Sequence, residues 1–117
     1  MVRRGKDTQR PLYLISVVSQ MLEVHPQTLR LYEREGLISP TRINRQRLYS
    51  DMDVQRLHLI IELSRDLGVN RAGVDIIMRL RDRIGGLQRE MLEMMQYLDD
   101  DVRREFERRL SVLFNEE

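Results

Sequence analysis

No cysteine occurs in the chain, which excludes disulfides, thiolate metal sites and thiol nucleophiles. Tryptophan is also absent, and tyrosine and phenylalanine bring the aromatic share to only 5%. Such a core must be built from Leu, Ile, Val and Met, a set that suits packed helices better than a sandwich or barrel. Histidine is limited to His25 and His58, too far apart in sequence to read as a ligand pair, so no metal and no cofactor is expected. There is no nucleophile–base pair, so no catalytic residues are assigned and no enzyme is expected. No apolar run reaches the length of about 18 residues that a membrane helix needs, and no signal-peptide pattern opens the chain. A soluble, cytoplasmic protein is the expectation, with room in 117 residues for one compact domain and one long appended helix.

Lysine is nearly absent as well: Lys6 is the only one among 20 cations, and the rest are arginine, the residue suited to forked contacts with phosphate and guanine. The net charge of +1 hides an asymmetry. Residues 1–50 carry nine cations against four acids, net +5, whereas residues 51–117 carry 11 against 15, net −4. One half is suited to a polyanion and the other is not.

Along the chain, residues 1–11 are polar and basic without an apolar period and read as a flexible arm. Residues 15–24 read as a short helix with Ser16 as N-cap and Val17, Val18, Met21 and Leu22 on one face. A second helix starts at Pro26, behind His25, and stops near Glu35 before Gly36. Two short helices across a tight turn form a helix-turn-helix pattern. Pro40, Ile43, Leu48 and Tyr49 favour extended structure, and Asn44 can supply a positive-φ turn, so a hairpin, or wing, is expected around Asn44–Gln46. Ser50 caps a third helix that ends at Gly68, and Asn70 caps a fourth. Gly85-Gly86 reads as a hinge. Beyond it, Leu87, Met91, Met94, Leu98, Val102, Phe106, Leu110 and Leu113 recur near the helical period, predicting one helix to about Phe114. A domain this small cannot cover that stripe, so a second chain is expected to, making a homodimer. The fold class is thus all-α with a small β wing, divided as arm 1–11, winged helix-turn-helix 12–83 and dimerisation helix 84–117. Asp99-Asp100-Asp101 is read as a solvated turn rather than a cation site, and the clustered Met91, Met94 and Met95 as core filling.

On the second helix, Gln27, Arg30, Leu31 and Arg34 share one face. Arginine can fork to guanine and glutamine to adenine in the major groove, and Leu31 can meet a thymine methyl. Contacts concentrate at the N-terminal end of such a helix, which adds His25 and Thr28. Leu29, Tyr32 and Leu37 belong to the core. From Leu37 to Ser50 the chain carries Arg42, Arg45 and Arg47 and no acid, with Tyr49 close by. A basic hairpin of this kind can lie along the phosphate backbone or enter the minor groove.

The run H-P-Q-T-L-R-L-Y-E-R-E-G-L-I-S-P (25–40), followed by R-L-Y-S (47–50) and a helix, resembles the MerR family of bacterial transcription regulators. The resemblance covers about residues 12–83. Within the family, L-I-S-V-V-S with H-P-Q-T-L-R, and L-S-R-D-L-G-V-N-R-A-G-V (63–74), look most like heat-shock repressors of the HspR type; G-V-N-R-A-G-V also resembles the glutamine-synthetase repressors of the GlnR type. The resemblance implies a winged helix-turn-helix, an antiparallel coiled-coil dimer, an inverted-repeat promoter site and repression of chaperone operons. The implied partners are double-stranded DNA, a second copy, the DnaK chaperone as co-repressor, and RNA polymerase. DNA contact would fall to Thr28, Arg30 and Leu31, to Arg47 and Tyr49 in the wing, and to Ser16 on the first helix for the backbone. Rival readings are an activator of the same family, an architectural or recombination-directing DNA binder, and a coiled-coil interaction protein whose arginines only solubilise it.

Overall fold

The computed structural model describes residues 8–114, which divide into two compact units, residues 8–78 and 79–114. The basic arm up to residue 7 lies outside the described residues. In its remainder the Thr8 carbonyl accepts the Met52 amide at 2.9 Å, and just past the arm the Leu12 amide donates to the Tyr49 carbonyl at 3.0 Å.

In the first unit, a two-residue strand β1 (Tyr13–Leu14) leads straight into α1 (Ile15–Leu22). Leu14, not Ser16, takes the N-cap position, because it is still paired to Leu48 in the sheet when the helix begins. Ser16 lies inside the helix and is exposed. Glu23 turns left-handed at φ 56°, its amide bonding back to Gln20, and α2 (Pro26–Arg34) follows. The expected helix-turn-helix therefore forms, and Gly36, at φ 76°, ends its second helix.

Strands β2 (Thr41–Ile43) and β3 (Gln46–Tyr49) make the wing, antiparallel, with β1 on the other side of β3. Asn44 and Arg45 both have positive φ, 51° and 67°, as a two-residue hairpin turn matched to strand twist requires. The register sets Arg42 opposite Arg47. Helix α3 (Asp51–Ile61) opens with a reciprocal capping box: Ser50 Oγ accepts from the Asp53 amide and Asp53 Oδ2 from the Ser50 amide, each at 3.0 Å. It ends in a π-helical turn, Glu62–Asp66, and Gly68 has φ 70°. Ser64 Oγ donates to the Ile60 carbonyl at 3.0 Å within that turn and lies 3.5 Å from the Tyr32 hydroxyl.

Two apolar clusters hold this unit together. Val18, Leu29, Ile38, Tyr49 and Leu57 form one cluster, and Leu37, Ile60 and Leu63 form the other with Val74 and Met78 from the start of α4 (Arg71–Met95), Tyr32 packing on both. Each aliphatic side chain so buried contributes roughly 1.5–3 kcal/mol. Asn70 caps α4 through the Gly73 amide at 2.8 Å, as the sequence predicts.

Two expectations for the C-terminal part are corrected. Gly85-Gly86 is not a hinge: α4 runs through both without a break. Glycine costs about 1 kcal/mol in a helix interior, which the flanking Arg, Leu, Gln and Glu residues of high helix propensity offset. Nor does one helix run from Leu87 to Phe114. The long helix ends at Met95, a turn occupies residues 96–99, and α5 spans Asp100–Phe114. Asp99 Oδ1 accepts from the Val102 amide at 3.1 Å, so the triple-aspartate run is a cap and first turn rather than only a solvated bend.

In the second unit an apolar groove of about 450 Å³ is lined by Met91, Met94, Met95, Leu98, Phe106, Arg109, Leu110 and Leu113. Six of the eight side chains expected at a dimer interface meet there; Leu87 and Val102 do not line it, and both are exposed. Of the methionines read as core filling, Met95 is buried, whereas Met94 is 67% exposed and does not fill a core within the described chain. No described helix is long and apolar enough to cross a membrane.

Candidate nucleic-acid interface

Helix α2 turns its apolar residues inward and a polar face outward. Leu29 is fully buried, whereas His25, Gln27 and Arg34 are exposed and Thr28, Arg30 and Leu31 are half-buried. His25 Nδ1 accepts the Gln27 amide at 3.0 Å and caps the helix. The other ring nitrogen is then the one that carries the proton and can donate outward. One turn on, Arg30 Nη1 donates to Gln27 Oε1 at 3.2 Å. The two side chains with base-reading chemistry are thus held side by side, on a helix whose first turn carries no acid.

The wing is organised by a residue that the sequence pattern does not single out. Glu33, on α2, takes Arg42 Nη2 on one carboxylate oxygen at 2.9 Å and Arg47 Nε on the other in a short ion-paired hydrogen bond. Burial pushes the Glu33 carboxyl up, but the hydrogen bonds from Arg47 and Arg42, with their charges, outweigh it and hold the group below its usual 4.5. Its stabilisation is therefore complete above about pH 4.5 and fades only as pH falls through that lower native value. The one signal in the sequence is a lone acid three residues after Arg30, on a helix that precedes an acid-free basic hairpin.

Arg42 and Arg47 both pair with Glu33, the Arg42 side chain staying 51% exposed, while Arg45 is exposed at the tip of the turn. Tyr49 corrects the reading. Its side chain is 0% exposed, within the first core cluster, and its hydroxyl meets no hydrogen-bond partner among the described residues. Burial, with the Glu33 charge adding to it, raises its pKa. In β3 Arg47 and Tyr49 share a face by strand alternation, and the aromatic one is the member packed in the cluster with Val18, Leu29, Ile38 and Leu57. Tyr49 thus packs the core and offers no surface to a ligand. Glu35, the neighbouring acid, pairs with Arg71 at 2.6 Å on α4. Among the described residues no group of three His, Asp or Glu side chains is placed to hold a metal ion.

Comparison with known proteins gives this arrangement its family. Residues 13–80 match the model of the MerR HTH family regulatory protein. A Streptomyces coelicolor protein described as a heat shock protein, HspR, is 43% identical over 90 residues, covering 76% of this chain and 60% of that one. A transcriptional regulator, GlnR, of Bacillus anthracis is 34% identical over 73 residues, covering 62% of this chain and 56% of its own length. The mercuric resistance operon regulatory protein of Bacillus cereus is 31% identical over 97 residues, covering 81% and 73%. This chain thus spans less than two thirds of the first two relatives. Among solved structures, HiNmlR, a MerR family regulator lacking the sensor domain and bound to promoter DNA, superposes with a TM-score of 0.54 at 20% identity, covering 74% of this chain and 78% of that one, a likeness of fold. With the helix-turn-helix, the wing and the matched residues all in place, the chain belongs to the MerR family of helix-turn-helix regulatory proteins.

Proposed function

We propose that the protein is a sequence-specific DNA-binding transcription regulator, of the HspR type, that binds an inverted repeat as a homodimer and represses chaperone operons in the cytoplasm. The observation that carries this reading is the outward face of α2. Gln27 and Arg30 are hydrogen-bonded side by side there, beside a wing whose tip presents Arg45. Helix α2 would read base edges in the major groove, with Gln27 and Arg30 as the discriminating residues and His25, Thr28, Leu31 and Arg34 around them. The wing and Ser16 of α1 would meet the phosphate backbone, which positions the protein without specifying sequence. A second copy would cover the apolar groove of the second unit, since a cleft of this size lined by Met, Leu and Phe is costly to leave in water. The family relatives are named as regulators, which favours binding over catalysis. The likeness to HspR favours chaperone promoters over nitrogen-assimilation promoters and makes DnaK the co-repressor to try.

The test is recovery of bound DNA across the genome, followed by transcription from the recovered promoters in vitro with RNA polymerase, with and without DnaK. Chaperone promoters silenced by the protein are expected. Binding should weaken as salt rises, with a log–log slope of about −0.9 for each phosphate that the dimer neutralises. Nitrogen-assimilation promoters would move the reading to the GlnR type, stimulated transcription would make the protein an activator, and binding that bends DNA without base discrimination would make it architectural.

A further inference from the structure

We propose that Glu33 is a specificity-determining positioning residue: by clamping two of the three wing guanidiniums, those of Arg42 and Arg47, to the recognition helix it sharpens discrimination between duplexes while weakening attachment to any duplex. The inference rests on the DNA-binding reading above and deepens it.

Three observations converge on this carboxylate. The hairpin register places Arg42 directly opposite Arg47, and like charges so paired across two strands push them apart. Glu33 answers each with its own oxygen, Oε2 to Arg42 and Oε1 to Arg47, so one anion both neutralises the pair and ties it to α2. The clamp is also partly withdrawn from water: the side chains of Glu33 and Arg47 are 20% and 24% exposed, against 51% for Arg42. An ion pair sheltered in this way is screened less by salt than an open one.

The cost is electrostatic. An anion between the reading helix and the wing repels phosphate and occupies two cations that would otherwise release counterions from the duplex. A residue kept for affinity would not be acidic here. What the clamp supplies is geometry: it holds the wing at one distance from the helix that carries Gln27 and Arg30, so that backbone contacts and base contacts must be satisfied in one register. Without it, the arginines are free to follow any phosphate.

The experiment uses the full chain with two probes: a duplex selected from a random pool by the unaltered protein, and a scrambled duplex of the same composition. With Glu33→Gln, binding to the scrambled duplex should tighten on the order of fivefold near 0.15 M salt, and the log–log salt slope should steepen by about 0.9 for each guanidinium released. The ratio of selected to scrambled affinity should fall about tenfold, the scale of one misread base pair. Glu33→Asp keeps the charge on a shorter arm; it should leave the scrambled affinity near that of the unaltered protein yet lower the ratio, and it carries the test if circular dichroism shows the Gln variant unfolded. Equal weakening on both duplexes, with the ratio and slope unchanged, would reduce Glu33 to a purely structural ion pair and overturn the proposal. If instead the unaltered protein selects no duplex from the pool, the DNA-binding reading itself fails, a result distinct from either variant's behaviour.

Discussion

Arg30 is the side chain on which base discrimination rests in the proposed reading. Its guanidinium is already oriented by Gln27 Oε1 at 3.2 Å, so less rotamer freedom is lost on docking than for an unattached arginine. Losing a forked contact to guanine costs about 1–3 kcal/mol. Arg30→Ala should therefore weaken binding to a selected duplex about five- to 150-fold and relax selection at one base position, read by competition against single-base variants. Tyr49→Phe is the matched comparison. Its hydroxyl is buried without a partner among the described residues, so removing it should leave DNA affinity within about twofold and change stability by no more than about 1 kcal/mol, in the favourable direction. A Tyr49→Phe variant that loses DNA affinity as heavily as Arg30→Ala would put the tyrosine back among the contact residues.

At the level of elements, the wing turn sets stability against binding. Asn44 adopts the left-handed region at modest cost, but Arg45 at φ 67° carries a Cβ that this region disfavours by roughly 1–2 kcal/mol. Arg45→Gly should raise the midpoint of thermal unfolding by a few degrees, since the turn becomes Asn-Gly, while removing an exposed cation. The same variant should bind DNA more weakly and flatten the salt slope by about 0.9 for each phosphate that the arginine neutralises. A turn that melted earlier with glycine, in a differential scanning measurement, would mean that the arginine conformation is not under strain.

The elements that could be read from the sequence are those whose ends carry a local chemical signal: His25-Pro26 at the start of α2, Gly36 after it, Ser50 with Asp53 at the start of α3, Asn70 at the start of α4. What escaped depends on partners distant in sequence or on competing local signals. Strand β1 has two residues and exists only because Tyr13 and Leu14 find Tyr49 and Leu48. The Glu33 clamp spans nine residues to Arg42 and 14 to Arg47, and no periodicity announces it. At residues 96–99 the apolar period argued for continuation and Asp99 for a new start; the cap prevailed. At Gly85-Gly86 low helix propensity argued for a break, and the surrounding helix formers prevailed.

For the whole molecule, the division of charge matches a division of labour. The basic half holds the recognition helix and wing, and the acidic half holds an apolar groove in which Met94 and Leu113 stay 67% and 70% exposed. A symmetric pair would use the same patch on both copies, so a charge placed once is met twice at the interface. Leu110 lines the groove, and Val112, nearby on α5, does not, although it is exposed. Leu110→Glu should convert a dimer in sedimentation equilibrium to a monomer at micromolar concentration, whereas Val112→Glu should leave the mass unchanged. The consequence for DNA follows from linkage: two tethered reading helices bind an inverted repeat far more tightly than either alone, by a factor on the order of 10²–10⁴. Leu110→Glu should lose that factor on the full repeat and almost nothing on an isolated half-site. Equal losses on both would mean that the substitution damaged the reading unit, and an unaltered protein that sediments as a monomer on and off DNA would leave the groove for some other occupant.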